Sequence, residues 1–254
     1  MKERILLMGP PGSGKSYQLL KVAQYLNEIG TPIYTMDLED KLEATLSGLG
    51  GIPSNMHLYV TFDWDKKTDK DYVGGVKQTI EDITNKAKPG EWIAIDRADL
   101  MWPMVQRWFT QKKYDEELAD RMMQKSMDMK KASMFIPRFD QGSWQVINEQ
   151  YESQILNILY KSRCNILLTT GIRGIGEENP LDIGRLGVLP RGQKELGHQP
   201  HSVFLLGQQK TGRVLTWKIT TAKDIPNRVV FDNDELMDFA LQYVALYYDP
   251  NNPD

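Results

Sequence analysis

Short apolar runs alternate with longer stretches of helical periodicity through most of this chain. Ile5 to Met8 (ILLM) is a compact apolar run with the length of a buried strand. Tyr17 to Ile29 then carries Leu19, Val22, Ala23, Leu26 and Ile29 at helical spacing, and Gly30 stands where a helix ends. Pro32 to Met36 and Met56 to Phe62 read as a second and a third strand. Residues 72–87 place Val73, Val76, Ile80 and Ile83 on one helical face. Trp92 to Ile95 (WIAI) is a further strand running into Asp96, and Asn165 to Thr170 (NILLTT) another, after a helix over Val146 to Tyr160. Strands that alternate with helices predict an α/β fold, a mainly parallel sheet with helices on both faces.

The rhythm breaks twice. Residues 101–143 are rich in Met, Trp, Lys and Asp, with Met122, Met123, Met127, Met129 and Met134 clustered. The segment 101–141 is expected to be a helical insertion, its methionines filling gaps on the rim of the sheet, or else an arm that binds a protein partner. Residues 171–200 hold seven glycines together with Arg173, Arg185, Arg191 and Lys194, which predicts a long functional loop. Beyond it, Ser202 to Leu206 and Arg213 to Thr220 read as an antiparallel hairpin, and a last helix is expected from about Asp234 to Tyr247. With no internal repeat, residues 1–254 are taken as one domain.

The first apolar run feeds GPPGSGKS, which fits G-x-x-x-x-G-K-[ST]. Gly9, Pro10, Pro11, Gly12, Ser13, Gly14, Lys15 and Ser16 are therefore the expected ATP-binding loop. Its glycines let backbone N–H groups turn toward phosphate, and the following helix N-terminus adds its dipole. Lys15 is assigned to the β- and γ-phosphates and Ser16 to Mg²⁺. Asp96, ending an apolar strand downstream, is the expected second metal-side residue, with Asp99 a weaker competitor. Glu39, in MDLED, falls where ligands meet the sheet edge and is the candidate to polarise water; Asp37 and Asp40 are its rivals. Thr169 and Thr170 end the NILLTT strand on the same edge and are candidate γ-phosphate sensors. No N/T-K-x-D guanine motif is found, so the base is expected to be adenine.

Composition narrows the picture only modestly. The 254 residues are 41% hydrophobic, with a formal net charge of −3, which neither requires nor excludes a nucleic-acid partner. A single cysteine, Cys164, leaves no internal disulfide framework and fits a reducing, cytoplasmic setting. Lys2, Glu3 and Arg4 lead directly into the first strand, and no apolar run has membrane-spanning length, so neither a signal peptide nor a membrane span is expected.

The order of motifs resembles the RecA/RadA-like recombinase ATPases. The residues that carry the resemblance are the phosphate loop, Asp37-Leu38-Glu39, Asp96 at its strand end, GSWQVINEQY over Gly142 to Tyr151, and the segment from GQKELGHQ into the distal hairpin. It is nearest to the minimal RecA-like ATPases of bacteriophages, linked to single-strand annealing and recombination. The resemblance implies a RecA-like core, ATP and Mg²⁺ as cofactors, and Glu39 as the catalytic glutamate. It also implies single-stranded DNA as partner, a homo-oligomer such as a ring, and, for a viral chain, the host cytoplasm. In that family a basic residue near the hairpin reaches a neighbour's ATP; Lys218, Lys223 and Arg228 are the candidates. Arg173, Arg185, Arg191 and Lys194 would face DNA. Two other readings stand beside this one: a nucleotide or small-molecule kinase with an arginine-bearing lid at 173–194, and an ATP-dependent switch that binds a protein through 101–141.

Overall fold

A computed structural model describes residues 2–48, 50–60, 69–114, 120–124, 127, 139–174, 186–211 and 214–250, the side chains of 69–74 excepted. Its framework is an eight-stranded sheet in the order β10-β9-β8-β1-β5-β4-β2-β3. The strands are β1 (Arg4–Met8), β2 (Ile33–Asp37), β3 (Met56–Val60), β4 (Trp92–Asp96), β5 (Asn165–Thr170), β8 (Ser202–Thr211), β9 (Val214–Lys223) and β10 (Asp234–Glu235). From β8 to β3 every pairing is parallel; β9 and β10 are antiparallel additions at one edge. This is the α/β fold of P-loop nucleotide-binding proteins, with the expected C-terminal antiparallel hairpin.

Strand pleating sends alternate residues to opposite faces. Leu6 and Met8 join Met36, Ile93, Ile95, Ile166 and Leu168 on one face, under α3 (Asp69–Lys86), α4 (Met101–Tyr114) and α5 (Gln141–Tyr151). Ile5 and Leu7 join Ile33, Ala94, Leu167 and Phe204 on the other, under α1 (Lys15–Glu28) and the C-terminal helical turn around Phe239, Ala240 and Tyr243. Strands covered on both faces read as unbroken apolar runs, which is why they were visible in the sequence.

Several expected boundaries move, each for a local reason. Residues 101–114 of the expected insertion are not peripheral. They form α4, whose Met101, Val105 and Phe109, spaced by four, are buried against the sheet and its neighbouring helices. Met122, Met123 and Met127 are 50–61% exposed and fill no gap; Met129 and Met134 lie outside the described residues. α5 begins at Gln141 rather than Val146, because the Asp140 carboxylate accepts from the Ser143 N–H at 2.7 Å and caps it. A π-helical stretch, Glu152–Leu156, then joins it to α6 (Asn157–Lys161).

The last helix does not start at Asp234. Asp234 and Glu235 pair with Ile219 and Lys218 as β10, and the helical turn begins near Ala240, whose N–H donates to the Asp238 carboxylate at 3.0 Å. Within 171–200, β6 (Ile172–Gly174) and β7 (Val188–Pro190) form a small antiparallel ladder, and a 3-10 turn follows at Lys194–Gly197. Among the described residues no helix is long and apolar enough to cross a membrane.

Candidate functional site

The C-terminal ends of β1, β2, β4 and β5 lie side by side, and β5 separates β1 from β4. Everything placed by the strand ends therefore converges on one edge of the sheet, where open α/β folds bind ligands. The phosphate loop leaves β1 there. Gly12 (φ 78°) and Gly14 (φ 88°) take left-handed backbone conformations that side chains resist. Gly14 has a second constraint: a Cβ would stand 3.4 Å from the Trp217 ring of β9. The hairpin is thus packed against the loop. Trp217 and Tyr17 lie 4.9 Å apart between ring centroids, and the Gln208 side-chain amide donates to the Gly12 carbonyl.

Lys15 opens α1. Its ammonium donates to the Gly9 and Pro10 carbonyls at 2.9 and 2.8 Å, so it lies along the inner wall of the loop. Burial lowers its pKa, and the positive charge of Arg97 lowers it further; Asp96, Asp99 and Glu39 act in the opposite sense. These five charges therefore share one electrostatic neighbourhood.

Ser16 Oγ donates to Asp96 Oδ2 at 2.8 Å. Asp96 is buried, and desolvation pushes its pKa up; hydrogen bonds from Thr169 and Ser16 pull it down, while Asp37 and Glu39 push it up. A hydroxyl and a carboxylate oxygen side by side are the hard donors Mg²⁺ accepts, and this ion commonly takes only one or two protein oxygens besides phosphate and water. Among the described residues no group of three or more His, Cys, Asp or Glu could hold a metal by itself. The donor set thus fits a metal shared with nucleotide phosphates.

The two threonines left open by the sequence separate in role. Thr169 Oγ1 donates to Asp96 Oδ1 and accepts from the Arg97 N–H at 2.9 Å, which places it between Asp96 and Arg97. Thr170 Oγ1 donates to the Arg191 carbonyl at 3.0 Å and ties Arg191 to the end of β5. Its hydroxyl is turned to backbone carbonyls rather than to the Asp96 cluster.

The acidic turn after β2 also resolves. Asp37 Oδ1 accepts from the Glu39 N–H at 3.0 Å, and Oδ2 accepts from the N–H groups of Lys41 and Leu42, both at 2.8 Å. Asp37 is the brace of the turn into α2 (Leu42–Ser47), and Asp40, with φ 54°, is exposed. Glu39 remains as the acid presented to the site. Its Oε1 pairs with Arg97 Nη1, and Oε2 lies 3.3 Å from Lys41 Nζ.

Sequence reasoning did not find Arg97. It follows Asp96 directly, in a left-handed conformation (φ 68°). Its Nε and Nη2 donate to Asp99 Oδ1 and Oδ2 at 2.9 and 3.0 Å, while Nη1 meets Glu39. The hydrogen bonds it donates to Asp99 are the main reason its pKa is raised. Asp99 is therefore the partner of Arg97. The available signal was an arginine between two acids in IDRAD, just past an apolar strand.

Two of the three residues considered for action on a neighbour are committed elsewhere. Arg228 grips Glu3 through both terminal nitrogens at 2.7 Å and donates to Tyr243 Oη at 2.8 Å, at the opposite end of the sheet. Lys223 Nζ donates to the His198 and Pro200 carbonyls, both at 2.8 Å. Lys218 sits on β9, in register with Gly207 and Glu235. Of the loop cations, Arg173 and Lys194 are exposed, and Arg191 is largely exposed with Nε 3.9 Å from Asp99; Arg185 lies outside the described residues.

A strand, a glycine-rich loop closing on a helix N-terminus, and an acid from a strand one removed define a P-loop nucleotide-binding protein. Residues 5–168 match the family model described as ATPase family associated with various cellular activities (AAA), and the chain belongs to that family. No curated protein matches it. Among solved structures, it is similar to a KaiC-like protein from the hyperthermophilic archaeon Pyrococcus horikoshii OT3. The identity is 15% over 92% of this chain and 84% of that one, with a TM-score of 0.47.

Proposed function

We propose that this chain hydrolyses ATP, and that it does so as a RecA-like ATPase acting on single-stranded DNA. The observation that carries the hydrolytic reading is the juxtaposition around Asp96. Ser16 and Thr169 both bond to it, Lys15 lies in the same charge cluster, and Glu39 faces that cluster from the next strand end. Lys15 would leave its loop carbonyls for the β- and γ-phosphates. Ser16 and Asp96 would hold Mg²⁺, which when bound neutralises charge on the phosphate oxygens. Glu39 polarises a water whose oxygen bonds to the γ-phosphorus as the bond to the β-phosphate oxygen breaks. The water proton passes by way of Glu39 to the released phosphate. Packing of the β8–β9 hairpin on Gly14 favours this reading over a kinase, in which that hairpin has no part.

The DNA role draws support from the exposed Arg173, Arg191 and Lys194 around the β6–β7 ladder. Assembly into a homo-oligomer and the phage annealing branch rest on the resemblance of motifs. The test is phosphate release from ATP with Mg²⁺, measured with and without single-stranded DNA and beside oligomer size. Hydrolysis that requires Mg²⁺ and rises with DNA, with binding that weakens as salt rises, is expected. No release under any condition from a folded, nucleotide-binding sample sinks the ATPase; release indifferent to every polynucleotide sinks the DNA role.

A further inference from the structure

The site needs positive charge on the terminal phosphate beyond Lys15, and two of the three basic residues considered for it from the sequence are locked elsewhere. We propose that Arg97 supplies that charge in cis, coordinating the terminal phosphate of bound ATP and exchanging Glu39 for it as a partner. The inference deepens the ATPase reading and rests on it.

Three observations support the assignment. Arg97 directly follows Asp96, whose carboxylate accepts from Ser16 Oγ of the phosphate loop at 2.8 Å, so it stands beside the phosphate-binding loop. Asp99, whose side chain is 1% exposed, holds the Nε and Nη2 side of the guanidinium, and this aims Nη1 outward to Glu39. One side of the guanidinium is anchored, and the other makes a single contact that a phosphate oxygen can replace. Guanidinium binds phosphate as well as carboxylate through the same planar fork. Finally, Arg97 occupies φ 68°, a costly conformation for a residue with a side chain. Such strain persists where the surroundings demand it, and here the Arg97 N–H is fixed on Thr169 Oγ1.

The exchange links binding to hydrolysis. While Arg97 pairs with Glu39, that carboxylate oxygen is occupied and cannot take a water. When Arg97 turns to phosphate, Glu39 becomes available as a base, so the acid is activated by the substrate it acts on. No covalent step beyond hydrolysis is added.

The test compares affinities for ADP and for AMP-PNP, an ATP analogue resistant to hydrolysis, by displacement of a fluorescent nucleotide with Mg²⁺ present. In Arg97→Ala, AMP-PNP affinity is expected to fall about 10- to 100-fold, the range of a charged hydrogen bond, with ADP affinity unchanged. Equal losses for both nucleotides, or no loss for either, overturn the proposal, since a purely structural arginine would not discriminate them. Should Arg97→Ala fail to melt cooperatively, Arg97→Gln, which keeps a neutral amide donor beside the two acids, is read by the same criteria. Phosphate release is measured separately. A wild-type chain that binds both nucleotides but releases no phosphate removes the ATPase reading, while the affinity ratio still decides Arg97. A wild-type chain that binds neither overturns both.

Discussion

Two arginines, each between carboxylates, sit at opposite ends of the same sheet. Arg228 is 10% exposed and Glu3 3%, and they meet in a two-armed pair supplemented by Tyr243 and Asp224. Arg97 is 20% exposed and Glu39 21%, and they share a single nitrogen–oxygen contact. Arg228 joins the C-terminal segment to the residue preceding β1, a link across 225 positions of chain. Arg97 joins neighbouring strand ends and sits in a strained conformation. The same chemistry thus fastens the fold at one end and remains exchangeable at the other. Burial and the number of arms, more than residue type, separate the two.

That contrast can be broken by experiment, beginning with the glutamates. Glu39→Gln should lower phosphate release about 10²–10⁴-fold, the usual worth of a positioned general base, with nucleotide binding and melting temperature retained. Unchanged turnover would remove Glu39 from the chemistry and collapse the comparison. Arg228→Ala leaves Glu3 buried and unpaired, so denaturant unfolding should show a loss of about 3–5 kcal/mol. Its AMP-PNP to ADP affinity ratio should stay at the wild-type value; a changed ratio would mean that the structural end also reads nucleotide.

Smaller effects sharpen the site. Asp37→Ala leaves three N–H groups of the turn, that of Leu42 buried, without their acceptor, and a stability loss of about 1–3 kcal/mol is expected in the same unfolding experiment, with slower hydrolysis because Glu39 loses its brace. Gly14→Ala should cost about 1–2 kcal/mol of backbone strain and loosen the contact with Trp217, seen as a lower melting temperature and weaker nucleotide binding. An unaltered melting temperature would show that Gly14 is not under the constraint its geometry implies.

What could be read from sequence follows from how local the physics is. β1, β4 and β5 were plain because both faces of each are buried, so three or four apolar residues in a row suffice. The phosphate loop was plain because its glycines, Lys15 and Ser16 are contiguous. The placement of Glu39 and Asp96 on one sheet edge followed from their positions at strand ends. The pairing of Arg97 was hidden because it depends on a backbone angle and on acids from two segments. The commitment of Arg228 was hidden because its partner, Glu3, is at the far end of the chain. α4 was obscured by its tryptophans and lysines, although Met101, Val105 and Phe109 keep a spacing of four. β10 was read as helix because Asp234 and Glu235 suit a helix start, and only their pairing with β9 makes them strand.

The contact of Trp217 with Gly14 has an optical and mechanical consequence. β8 and β9 pair continuously out to Thr211 and Val214, so the indole lies at the root of a protruding two-stranded ribbon. At roughly 3.4 Å per residue, the stretch from Gln208 to Thr211 reaches about 10 Å beyond the point where the Gln208 side chain touches Gly12. The exposed Val214 and Leu215 sit near its tip. A load applied there would reach the phosphate loop through Trp217 and Gln208, and the indole at that contact is also a chromophore. Its emission is expected to shift on nucleotide addition, and Trp217→Phe should abolish that shift, so that the chain carries its own gauge of loop movement.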